Sequence, residues 1–192
     1  LDGHPFGTRC PACLGSTQAV SSHLLRTENL PLFDGPSIQL EALLDNIRSA
    51  WNVGSIFRTA DGFGLARLHL CGITPTPESD AVRKTSLGAE ESVAWTYHKD
   101  AVLLVKGLKV EGWKVVALEE DERAREIKDE RRKMKHEWGK MILVVGNEVT
   151  GVDPELLDLC DEIVYIPMRG RKKSFNASVA FGIAVYALGD AG

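Results

Sequence analysis

The chain has 192 residues and contains no run approaching the roughly 20 consecutive apolar residues that a membrane span requires. Its opening, LDGHPFGTRC, lacks the basic-then-apolar order of a secretory leader, so a cytoplasmic location is expected. Cysteine is scarce. Cys10, Cys13, Cys71 and Cys160 are too few and too scattered for a disulfide scaffold, and reduced thiols are expected. Cys10 and Cys13 form a CPAC pair, half of a zinc site that His4 and His23 could complete, but four ligands would have to converge and no metal is assigned. Phosphate-cradling glycine signatures are also missing. GFGLAR, from Gly62 to Arg67, breaks the GxGxxG pattern at its last position and falls late in a helical stretch. Neither a P-loop nor a GxSxG elbow occurs, which disfavours a nucleotide-phosphate enzyme and an α/β-hydrolase. No sign of charge dominates: Lys+Arg 23 against Asp+Glu 27 gives −4, which argues against a nonspecific polyanion coat and leaves a local basic site open.

What is present is an ordinary globular composition, 44% hydrophobic and 26% charged, long enough for one well-packed core and without internal repeat. Residues 1–36 are rich in Gly, Pro, Ser and Thr and read as an extended arm closed by FDGP; residues 37–192 read as one domain. There, short apolar segments (IQLEALL, RLHLCGI, SVAWTY, WKVVALE, MILVVG and EIVYIP) alternate with helical stretches. This order indicates βα units, hence an α/β fold with a mostly parallel sheet covered by helices on both faces.

In the helix after the first strand, Val53, Ile56, Phe57, Ala60 and Phe63 fall on one apolar face, with Asn52 as the expected N-cap and Arg58 off that face beside Gly54 and Asp61. The charged segment Glu119 to Lys140 reads as a solvated helix. Arg169, Arg171, Lys172 and Lys173 form a loop with no acidic residue among them, a candidate RNA-binding element. In the last helix Phe175, Val179, Ile183 and Tyr186 share a large apolar face, expected to serve the sheet. Ala177, Ala180, Ala184 and Ala187 form a narrow stripe that would let another helix backbone approach closely, with a contact inside the domain as its equal alternative.

Three polar, Gly-containing segments each follow a strand: DNIRSAWNVGSIFRTAD, VVGNEVTGVDP and IPMRGRKKSFNASVA. In a parallel sheet they emerge at one edge, where open α/β folds bind ligands. Taken singly, each has an ordinary structural role: Asn52, Ser174 or Asn176 as a cap, Gly146 and Gly151 as turn residues, Glu148 as a surface charge. Taken together, in this order from about Pro36 to Leu188, they resemble the three motifs of the SpoU-type (TrmH-like) RNA ribose 2'-O-methyltransferases of the SPOUT superfamily.

The resemblance implies a C-terminal deep trefoil knot with S-adenosylmethionine bound at it, a topology that general rules of chain connection would not suggest. By motif match the donor pocket comprises Val145, Gly146, Ile166, Met168, Ser174 and Phe175, the last standing where members usually carry Leu. The matched polar active-site positions are Asn46, Asn52, Arg58, Glu148, Ser174 and Asn176. A ribose hydroxyl is a poor nucleophile that must be aligned with the sulfonium and relieved of its proton. Arg58 is the implied catalytic residue. Its guanidinium favours phosphate positioning and electrostatic stabilisation over proton abstraction, and a helix ion pair with Asp61 is its ordinary alternative. The resemblance further implies a homodimer in which Arg58 of one subunit acts at the pocket of the other, with tRNA or rRNA as substrate. Rival readings are methylation of a base nitrogen, an inactive RNA-binding protein of the same fold, and a small-molecule methyltransferase, which leaves RGRKK unexplained.

Overall fold

The computed structural model describes residues 39–127 and 139–188 of the chain. The apolar segments become strands β1 (Gln39–Asp45), β2 (Arg67–Cys71), β3 (Trp95–His98), β4 (Lys114–Leu118), β6 (Lys140–Val145) and β7 (Glu162–Tyr165). Between them run helices α1 (Ala50–Gly62), α2 (Asp80–Ser86), α3 (Ala89–Ser92), α4 (Ala101–Val110) and α5 (Pro154–Leu159), with α6 (Ala177–Leu188) following β7. A two-residue strand, β5 (Arg125–Glu126), pairs with β7 inside the segment expected to be helical. That expectation is therefore corrected for its first part; residues 128–138 lie outside the described residues, as do the arm and Cys10, Cys13, His4 and His23.

The sheet order is β3-β2-β1-β6-β4-β7-β5, with every pairing parallel. β1 and β6 lie adjacent near its middle and are buried beyond their first residues. Continuous apolar runs are what a strand covered on both faces requires. Alternate residues feed two cores. Ala42, Leu44, Leu68, Leu70 and Leu143 join Phe57 of α1 and Phe181 of α6 on one face; Leu43, Ile142, Val144 and Ala117 join Val105 of α4 and Leu156 of α5 on the other. Glu41, 5% exposed, breaks the pattern, and its carboxyl lies 2.7 Å from His69 Nε2 on the neighbouring strand, so the buried polar group has a hydrogen-bond partner.

Two expectations about α1 and α6 are reversed. Val53, Ile56, Phe57 and Ala60 are fully buried, but Phe63 is the C-cap of α1 and 47% exposed, its ring set edge-on against Tyr186. In α6 the faces exchange roles. Ala184 is buried and Ala177 and Ala187 pack against the core, whereas Val179 and Tyr186 stand outward, Ile183 is partly buried, and Phe175 lies before the helix. The reason is Phe181 and Val185: they supply the bulk that fills the sheet side, and small residues beside them let the helix lie close to the core. Cys71 is buried and Cys160 partly so; both are free thiols pushed up to about 12 by burial.

Ala184→Arg should therefore destabilise the fold by about 3 kcal/mol or more, the scale of an uncompensated buried charge. Val179→Arg should keep a cooperative urea transition, because its side chain already meets water. Circular dichroism during urea unfolding measures both.

Candidate active site

The three motif segments meet at the carboxyl edge of the sheet. After β1 the chain turns at Asn46, whose φ of 54° is the left-handed conformation that Asn tolerates. α1 then begins, and its N-cap is Ser49, whose hydroxyl accepts the Asn52 N–H at 3.3 Å. The expected cap, Asn52, lies inside the helix. Its side chain is thereby released for longer-range contacts.

After β6 the chain folds back on itself, Asn147 and Gly151 exchanging two backbone hydrogen bonds of 3.0 Å. Asn147 Oδ1 accepts the N–H groups of Val149 and Thr150, and Asn147 Nδ2 donates to the Asn46 carbonyl at 2.7 Å. This turn carries Glu148 to the start of α1. One carboxylate oxygen of Glu148 accepts the Arg48 N–H at 2.9 Å; the other accepts the Ser49 N–H at 3.1 Å and Asn52 Nδ2 at 2.8 Å. Burial alone raises the Glu148 pKa, but these donors outweigh it and hold the group below the ordinary carboxylate range. Asn52 Oδ1 in turn accepts Asn176 Nδ2 at 3.0 Å, and Asn176 Oδ1 accepts the Ser178 N–H and hydroxyl at the start of α6. A hydrogen-bonded chain Glu148–Asn52–Asn176 thus links all three segments.

Beside it lies a cavity of about 380 Å³, within the size range of small-molecule pockets. Val145, Gly146, Ile166, Met168, Ser174 and Phe175 all line it, together with Glu148 and Asn176. Sequence reasoning missed Leu118, Glu119 and Tyr165. The charge pattern places Glu119 in a solvated helix; instead it follows β4 directly, and its carboxylate accepts the Val152 N–H at 2.9 Å, bracing the loop that lines the pocket. The signal available was its place at the end of WKVVALE, a strand whose neighbours in the sheet carry motifs.

Gly146 lines the cavity and also lets the loop close on itself: a Cβ there would collide with the backbone of Gly151 and Val152. Gly151, with φ 74°, would collide with the Glu119 carboxylate. The two glycines are the close-approach points of the loop on itself.

Arg58 and Asn46 are not brought to this cavity. Arg58 is exposed on α1 and lines a separate hollow with Asp61 and the α2–α3 turn. Among the described residues no ion pair joins it to Asp61, which instead accepts the Ser92 hydroxyl at 2.7 Å. Asn46 binds the turn after β2 through the Ile73 N–H and donates to Asp45, lining a different hollow. Arg169, Arg171, Lys172 and Lys173 are exposed in the loop before α6, and Lys173 reaches the cavity rim. No metal cluster of His, Cys, Asp or Glu occurs among the described residues.

Comparison with known proteins follows the same outline. A model of the SpoU rRNA methylase family matches residues 39–186. The 23S rRNA (guanosine-2'-O-)-methyltransferase RlmB of Acinetobacter baylyi is 33% identical over 150 residues, covering 74% of this chain and 56% of that protein. The chain thus spans little more than half the length of that relative. The tRNA (guanosine(18)-2'-O)-methyltransferase of Thermus thermophilus is 31% identical over 148 residues, covering 77% of this chain and 72% of that one. Among solved structures, the A. aeolicus TrmH/SpoU tRNA modifying enzyme superposes with a TM-score of 0.69 at 26% identity, covering 79% of this chain and 74% of that chain. The methyltransferase AviRb of Streptomyces viridochromogenes, solved with AdoMet, gives a TM-score of 0.70 at 24% identity, covering 79% and 60%, a likeness of fold.

The Glu148 contacts set a pH test. A carboxylate held below its ordinary value stabilises the fold above that value, near 4.5, and the contribution disappears as pH falls through the depressed one. Glu148→Gln should cost about 1 kcal/mol at neutral pH, a modest figure because water screens the exposed carboxylate. The difference between wild type and variant should shrink below pH 4.5. Urea midpoints across pH 3 to 7 (roughly the range over which carboxylates titrate) measure it; a pH-independent difference contradicts the assignment.

Proposed function

The chain belongs to the SpoU rRNA methylase family, and from that membership and the geometry of the site we propose that it methylates a ribose 2'-hydroxyl of tRNA or rRNA from S-adenosylmethionine. The observation that carries the reading is the Glu148–Asn52–Asn176 chain beside the cavity, because it unites three motifs far apart in sequence at one mouth. The cavity suits the donor. Leu118, Val145, Ile166, Met168 and Phe175 offer apolar walls, and Glu119, Glu120 and Lys173 add charged groups to the lining. When bound, the donor supplies an electrophilic methyl group on a sulfonium, which needs no metal.

The chain's own residues then have distinct tasks. Ser174, Phe175 and the 145–152 turn hold the donor; Asn52 and Asn176 orient loops and RNA groups through amides whose rotation is fixed. Glu148 pins the α1 N-terminus. Arg169, Arg171, Lys172 and Lys173 hold RNA phosphates. Arg58, away from the cavity of its own subunit, is assigned to the cavity of a second copy, where its planar fork positions phosphate and stabilises developing charge. The proposed homodimer uses the outward face of α6, Val179 and Tyr186 with Phe63 of α1, in place of the alanine stripe. We further propose that residues 37–192 are the methyltransferase domain, with the 1–36 arm preceding it, that the 146–176 region is threaded as the family's knot, and that the protein acts in the cytoplasm. No helix among the described residues is long and apolar enough to cross a membrane.

Methyl-tritiated donor should label the ribose of RNA lacking the modification, with calorimetric donor binding independent of metal. Arg58→Ala should lower transfer at least about a hundredfold, the scale of a lost electrostatic contact to a developing charge, with donor affinity nearly unchanged. Arg58→Lys should fail similarly, since a point charge cannot replace the fork. Label on a base, or near-native turnover of the lysine variant, contradicts the assignment. Tyr186→Arg should give folded monomers by light scattering that bind donor and transfer nothing.

A further inference from the structure

Trp51 is 62% exposed in the first turn of α1 and has no ring or hydrogen-bond partner among the described residues. Exposing so large an aromatic side chain on a rigid element forgoes considerable burial. The element is rigid: Glu148 binds the backbone of Arg48 and Ser49 and the side chain of Asn52, so Trp51 sits within a turn fixed on both sides. α1 is also held on its other flanks. Val53, Phe57 and Ala60 enter the core, Gly54 lies so close to α2 that a Cβ would collide with Thr85, and Thr59 packs by Gly182 of α6. What remains is one outward strip at i, i+4, i+7 and i+11: Trp51, Ser55, Arg58 and Gly62.

The charge on this strip identifies its occupant. Arg48 precedes Trp51 and Arg58 follows two turns later, about 10 Å along the axis. Both are exposed and form no ion pair among the described residues, while the carboxylates of Glu148 and Asp61 are already engaged. An apolar protein surface laid over Trp51 would desolvate two unpaired guanidiniums. A nucleic acid would satisfy all three groups at once, a base stacking on the indole and phosphates meeting the arginines. The contrast with α6 is direct, since Ala177–Leu188 carries no charged residue and suits a second copy of the chain. We propose that Trp51 is a stacking platform for a base of the RNA substrate close to the ribose that is methylated, flanked by Arg48 and Arg58 on the adjoining phosphates. The inference rests on the function proposed above and adds to it the residue that grips the base.

The test compares wild type with Trp51→Ala, Trp51→Phe and Trp51→Leu, using fluorescein-labelled oligoadenylate and its abasic analogue in anisotropy titrations. Wild type and the Phe variant should prefer the base-bearing strand by about tenfold; the Ala and Leu variants should lose the preference. The salt slope of binding should be unchanged in the Trp51 variants and smaller by about one in Arg48→Ala. Melting temperatures and light-scattering masses should match wild type. Equal preference in the Leu variant, or a drop in mass in any Trp51 variant, overturns the platform and, in the second case, assigns Trp51 to a protein contact. Wild type that binds donor but no RNA overturns the proposed function along with it, whereas RNA binding with an unaltered preference in Trp51→Ala overturns the platform alone.

Discussion

The Glu148 carboxylate is the point on which the site depends. A helix begins with N–H groups that have no partner inside it, and a loop entering that helix leaves more. Glu148 reaches across from a turn one hundred residues later in sequence and takes the Arg48 and Ser49 N–H groups together with the Asn52 amide. Placing a negative charge at the start of α1 also suits the helix dipole. The parallel pairing of β1 with β6 makes this possible, because adjacent parallel strands release their following loops at the same edge. Register sets the contact, and the contact then holds two loops that the sheet alone would leave independent.

From Glu148 the direction of hydrogen bonding passes down the chain. Because Asn52 Nδ2 donates to the carboxylate, its Oδ1 is left to accept from Asn176, which leaves Asn176 Oδ1 free to receive the first turn of α6. Each amide thus has one end in the site and one end committed to structure. An aspartate at either place would bring acceptor against acceptor, so the residue type is dictated by the order of donors and acceptors as much as by any ligand. Cap and site residue are the same side chain at Asn176, and choosing between those two roles was unnecessary.

The strands, the parallel sheet and the shared edge of the three motif loops were legible in the sequence, because all follow from local apolar pattern and from motif order; the residues of the cavity wall came only from the family resemblance. What was not legible depends on contacts distant in sequence. Asn52 and Ser49 are both good caps, and only the arrival of Glu148 decides that Ser49 fills the role. The two apolar faces of α6 differ in size, and bulk alone pointed the wrong way; Phe181 and Val185 occupy the sheet side and leave Val179 and Tyr186 outward. Gly146 reads as a turn residue in one dimension and proves in three to be the close-approach point for the backbone of Gly151 and Val152. A two-residue strand such as β5 has too few residues to show a period.

The separation of Arg58 from the cavity follows from helical geometry. Asn52 and Arg58 are six residues apart, so at 3.6 residues per turn they point about 120° away from each other around α1. Asn52 turns inward to Glu148 and Asn176, and Arg58 must therefore look outward with Trp51. α1 thus turns the two side chains to different sides, and Arg58 lines a hollow separate from the cavity. In the dimer proposed above, the pocket that receives Arg58 is that of a second copy, and the uncharged outward face of α6, with Tyr186 packed against Phe63 at the end of α1, would let that copy seat without burying a charge.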